Sequence, residues 1–113
     1  RQNLTALLAM CMQDSELFKL SLVSFFTETT EDVTLLRQLV EEQNQRESME
    51  ICHKLAGRIA QVGDMSLSFK LRKIETTLKQ PCDLVKVTTE LKEIMKEIEE
   101  LIEAVKLEID TRR

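Results

Sequence analysis

At 113 residues the chain is long enough for one domain with a single core and too short for two, so residues 1–113 are read as one folding unit. Hydrophobic residues at 42% and charged residues at 32% exclude a disordered chain, and a formal charge of −4 argues against nucleic acid as a partner. Two glycines and one proline leave almost no turn chemistry for hairpins, which directs the chain to an all-α fold.

The segment 4–12 reads as a short helix that caps the rest. Asp14 is placed to cap a first long helix carrying the apolar positions Leu17, Phe18, Leu22, Phe25 and Phe26. Thr27, Thr29 and Thr30 are weak helix formers, and a kink or boundary is expected there. A second apolar run follows at Val33, Leu35, Leu36, Leu39 and Val40, then a polar connection at Gln43, Asn44 and Gln45. The next helix is expected over about 46–62 and closes at Gly63, where a left-handed residue is wanted. Asp64 can cap a further helix with Leu67, Leu71, Ile74 and Leu78 on one side and Lys70, Arg72 and Lys73 on the polar sides, ended by Pro81. The last helix is the most regular, with Leu84, Val87, Leu91, Ile94, Ile98, Leu101 and Val105 alternating steps of three and four. Four amphipathic helices with short connections predict an antiparallel four-helix bundle, with the segment 4–12 as an N-terminal capping helix.

Cys11, Cys52 and Cys82 are odd in number, widely spaced and without a CxxC pair, so each is read as a small apolar residue in a reduced compartment. They do not form a zinc site with the lone histidine. Tryptophan and tyrosine are absent, and the four phenylalanines, Phe18, Phe25, Phe26 and Phe69, read as packing residues. No apolar run approaches the roughly eighteen residues of a membrane span and no signal peptide is visible, which predicts a cytoplasmic domain without direct membrane contact. The chain begins at Arg1, so it is read as a piece of a longer protein whose parent is free to be anchored in an inner membrane.

His53, the single histidine, lies in the segment that holds both glycines. At roughly 100° per residue, Ile51, Cys52, Leu55, Ile59 and Val62 gather on one side of the helix and His53 points the other way. Ala56, Gly57 and Ala60 are expected to share its outward face. Glycine within a helix costs about 1 kcal/mol relative to alanine, so Gly57 calls for a compensating reason. Clearing the surface beside the imidazole for another protein is one such reason; close packing against a neighbouring helix is the other. A neutral imidazole, with a reference pKa of about 6.5, is a nucleophile near pH 7 that needs no base of its own.

The pattern of His53, Leu55, Gly57 and Gly63, with DSELFKLSLVSFF upstream and LSFKLRKIE downstream, resembles the histidine-containing phosphotransfer domain of multistep two-component relays. The resemblance covers residues 14–80 in pattern, and the long final helix agrees in type. It implies a four-helix bundle in which His53 accepts a phosphoryl group from a receiver-domain aspartate and passes it to another receiver. Gly57 then admits the receiver, and Lys54, Gly57, Arg58, Gln61, Lys70 and Lys73 are the expected docking residues. The implied domain is a carrier, a monomer when isolated, probed by response-regulator receivers and fitted to the end of a hybrid sensor kinase. Its cofactors are none of its own, with Mg²⁺ on the partner receiver. The chain lacks a GxxxxGK[ST] phosphate loop, in keeping with a carrier that has no autonomous kinase activity.

One departure stands out. The family commonly carries a lysine three residues after the histidine, near the phosphoryl oxygens, where this chain has Ala56. Lys54, Arg58 and Arg46 are the alternatives along the same helix, with Arg46 pointing most nearly in the right direction. A different class of function also fits the sequence: a helical interaction module that dimerises through the unbroken heptad pattern from Leu84 to Val105, with His53 incidental.

Overall fold

The computed structural model describes Cys11 and residues 14–112; apart from Cys11, the expected capping helix over 4–12 lies outside the described residues. Four helices, α1 (Ser15–Glu41), α2 (Gln45–Gln61), α3 (Met65–Leu78) and α4 (Leu84–Thr111), form an antiparallel four-helix bundle 45 × 21 × 20 Å in extent. Helix α1 packs on α2 and α4, and α3 completes the ring between α2 and α4.

Each helix begins at an acid or amide whose side chain accepts an otherwise unpaired backbone N–H, as helix N-termini require. Asp14 takes Leu17 N–H at 3.1 Å and Asp64 takes Leu67 N–H at 3.1 Å, as the sequence predicted. Asn44 and Asp83 do the same for Glu47 and for Val85 and Lys86. Gln43, with φ of 56°, turns the chain out of α1, and its N–H and that of Asn44 close on the carbonyls of Val40 and Leu39.

The threonine-rich stretch does not interrupt α1. Phe18, Leu22, Phe25, Thr29, Val33, Leu36 and Leu39 form one buried row, so Thr29 continues the apolar stripe and is itself fully buried. The propensity penalty of a threonine is a few tenths of a kcal/mol, and burial of the flanking side chains, at about 1.5–3 kcal/mol each, overrides it. The stripe of α4 is likewise buried inside the bundle: Val87, Leu91, Ile94, Ile98, Leu101 and Val105 are core residues, with Leu84 packed at its edge. Phe69 departs from the expectation for the phenylalanines. It is 65% exposed, because the core side of α3 is already taken by Leu67, Leu71, Ile74 and Leu78.

Candidate functional site

The site is built on the hairpin of α2 and α3. Gly63 adopts φ of 92°, and its N–H and that of Asp64 reach back to the carbonyls of Ala60 (3.0 Å) and Ile59 (3.4 Å). This is the Schellman closure, in which the left-handed position favours glycine. Three further bonds fix how α3 lies along α2. Ser68 donates its hydroxyl to the carbonyl of Ala56 at 2.8 Å, and the Gln45 amide donates to the carbonyls of Leu78 and Gln80, each at 2.9 Å.

That register corrects the expected surface around the histidine. Ala56 is fully buried, not outward: α3 lies against its flank of α2, so the buried arc is wider than the apolar stripe. A methyl side chain lets the two backbones approach closely enough for the Ser68 bond. Gly57 and Ala60 are half-buried at the edge of the open face. A Cβ built at Gly57 would meet only the tip of Arg72, with Nη2 at 3.9 Å, which is ordinary contact distance. Close packing against a neighbouring helix therefore does not account for this glycine.

His53 stands out from α2 with its side chain 63% exposed. Two residues of α3 meet it: Glu75, whose Oε2 lies 2.9 Å from Nδ1, and Arg72, whose Nη1 lies 3.2 Å from the same nitrogen. A carboxylate only accepts and a guanidinium only donates, so Nδ1 cannot serve both at once. Both partners are ionised, so the shorter contact decides the assignment: the proton is assigned to Nδ1, which donates it to Glu75. Arg72 then answers to Glu75 Oε1 at 3.4 Å. With Nδ1 protonated, the lone pair of the neutral ring resides on Nε2. The hydrogen bond at one ring nitrogen thus sets the chemistry of the other. Glu75 is the more enclosed partner, its side chain 12% exposed against 45% for Arg72.

Beneath the histidine, Cys52 is fully buried. Burial pushes its thiol up to about 12, and the nearby Glu75 carboxylate adds to the shift by repelling a thiolate. Alkylation with iodoacetamide at pH 8 should modify the partly exposed Cys82 readily and spare Cys52 until the protein is unfolded, as peptide mapping would report. Comparable labelling of Cys52 in the folded protein would contradict its burial. The sign for stability follows from the same shift. An unfolded thiol ionises near 8.5, so the Cys52 contribution is fully present below that pH and is lost as pH rises from there through about 12.

The other docking candidates fall on separate flanks. Lys54 and Gln61 are exposed on α2. Arg58 turns toward α1, where Asp32 holds its Nη1 at 2.7 Å and Glu28 its Nε at 3.4 Å. Arg58 and Gln61 line an open groove with Leu17, Leu20 and Phe25 of α1. On α3, Lys70 bonds Glu97 of α4 at 2.9 Å, whereas Lys73 lies 5.8 Å from the centre of the Phe69 ring. Arg46 pairs with Glu50 one turn along α2. Among the described residues the cation that touches His53 is therefore Arg72, which helical geometry along α2 alone could not reveal.

Comparison with protein-family models, with curated protein sequences and with solved structures found no match. Among the described residues no helix is long and apolar enough to cross a membrane, and no group of three or more His, Cys, Asp or Glu residues is placed to hold a metal ion.

Proposed function

We propose that this domain is a phosphorelay carrier in which His53 Nε2 accepts a phosphoryl group from a receiver-domain aspartyl phosphate and returns it to the aspartate of another receiver. The observation that carries this reading is the hydrogen bond from His53 Nδ1 to Glu75 on an exposed ring. It leaves the nucleophilic lone pair on the outer nitrogen, where a partner's active site has access.

The transfer balances simply. The Nε2 lone pair forms a bond to phosphorus, the bond from phosphorus to the aspartyl oxygen breaks, and the aspartate departs with that electron pair. The ring becomes positively charged, with its proton still on Nδ1, and the Glu75 carboxylate beside that proton offsets the charge. In the return step a protonated Nδ1 lets the imidazole leave as a neutral group, so the same contact serves both directions. Phosphoryl transfer is chiefly positioning and charge neutralisation, and the receiver would bring its own aspartate and Mg²⁺. The module requires no catalytic base beyond what Glu75 and the ring supply.

The dimerisation reading draws on the periodicity of α4 alone, and those side chains already line the bundle of a single chain. The decisive experiment incubates the purified domain with phosphoramidate and maps the product by mass spectrometry. One acid-labile phosphoryl group on the peptide containing His53 is the expected result. An unmodified domain under conditions that label a known phosphohistidine carrier would overturn the proposal.

A further inference from the structure

The guanidinium of Arg72 is held in an unusual position. It extends from α3 across the half-buried Gly57, with Nη2 3.9 Å from where a Cβ of that residue would lie, and brings Nη1 to 3.2 Å from the histidine ring. Nδ1, already donating to Glu75, offers it no lone pair, and among the described residues Glu75 Oε1 at 3.4 Å is its sole close acceptor, at the long end of hydrogen bonding. Most of its five N–H donors therefore lack an acceptor among the described residues. A planar, permanently charged fork with open donors is suited to the oxygens of a phosphoryl group. Its side chain is 45% exposed, which leaves it room to turn from Glu75 toward the outer nitrogen of the ring. Three of the other candidate cations are engaged with carboxylates: Arg46 with Glu50, Arg58 with Asp32 and Glu28, and Lys70 with Glu97.

From this geometry we infer that Arg72 binds the oxygens of a phosphoryl group on His53 Nε2, leaving Glu75 Oε1 as that group arrives. The inference rests on the carrier reading of His53 and adds to it a cation supplied by the adjacent helix. Before transfer, Arg72 and Glu75 neutralise one another beside the ring. After transfer, Arg72 neutralises the phosphoryl oxygens while Glu75 remains on the Nδ1 proton, so each new charge has a partner of opposite sign. The guanidinium passes over Gly57, so a side chain longer than a methyl at that position would crowd it.

The test follows phosphoramidate labelling and subsequent hydrolysis of the phosphohistidine in the wild type, Arg72→Gln and Arg72→Lys, with circular dichroism verifying the fold. Arg72→Gln should lower the labelling rate by about tenfold, the scale of one charge-assisted hydrogen bond, and Arg72→Lys should recover part of it. A residue that served only to hold Glu75 would show no effect once Glu75 is changed. The comparison is therefore repeated in a Glu75→Gln background, where the roughly tenfold loss should persist. Equal labelling and lifetime in wild type and Arg72→Gln, or a loss that vanishes in the Glu75→Gln background, would overturn the role of Arg72 while leaving His53 as the acceptor. An unlabelled wild type would overturn the carrier reading, and this inference with it.

Discussion

Replacing His53 with glutamine should abolish phosphoryl acceptance from phosphoramidate and from a phosphorylated receiver while leaving the bundle folded. Glutamine keeps a side chain of similar reach and polarity, but its amide has no nucleophilic lone pair comparable to that of Nε2. The structural consequences are small because the histidine side chain is 63% exposed and makes its contacts at the surface. Its loss removes one bond to Glu75, and Arg72 at 3.4 Å remains to pair with that carboxylate. Glu75 keeps Arg72 as a partner of opposite charge, so the thermal midpoint should move little. The measurement is mass spectrometry of both proteins beside circular dichroism melts. A folded His53→Gln protein that still acquires an acid-labile phosphoryl group would place the acceptor elsewhere. A variant that fails to fold would contradict the surface position of the ring.

The bundle was legible in the sequence because its information is local. Asp14, Asp64, Gly63 and Pro81 mark helix ends through the chemistry of single residues, and the stripe from Leu84 to Val105 repeats regularly enough to define a buried face. The direction of His53 was legible for the same reason, since one helix fixes where its own side chains point. What surrounds the histidine was not, because it depends on how two helices lie against each other. Ala56 looks outward on an isolated α2 and is buried once α3 is beside it. Arg72 and Glu75 reach the ring from nineteen and twenty-two residues farther along the chain, as set by the contact separations. A usable signal was present. His53 stands ten positions before Gly63 and Arg72 nine after it, so folding the chain back at that glycine brings the two level. Thr27–Thr30 differs for the opposite reason: local propensity predicts a break there, and the packing stripe that runs through Thr29 overrides it.

Gly57 should separate the two demands that the site makes on its surface. No close contact requires glycine there, since an added Cβ lies 3.9 Å from Arg72 and meets nothing else nearby. Gly57→Ala should therefore fold, gain up to about 1 kcal/mol from helix propensity, and retain transfer. Gly57→Gln should share much of the helical gain but fill the space between His53 and an approaching receiver. It would also crowd the guanidinium of Arg72. Displacing reacting groups by about 1 Å can cost on the order of a hundredfold in rate, and that is the loss expected for transfer from a phosphorylated receiver. Phosphoramidate is small enough to approach from the open side, so its reaction should slow far less. Stopped reactions with each donor, resolved by mass spectrometry, give the ratio directly. Equal losses with both donors would attribute the effect to Arg72 alone, and an unchanged receiver rate would remove the clearance argument altogether. A stable protein that labels with the small donor yet transfers poorly from a receiver is the result that ties a costly helical glycine to the approach of a partner.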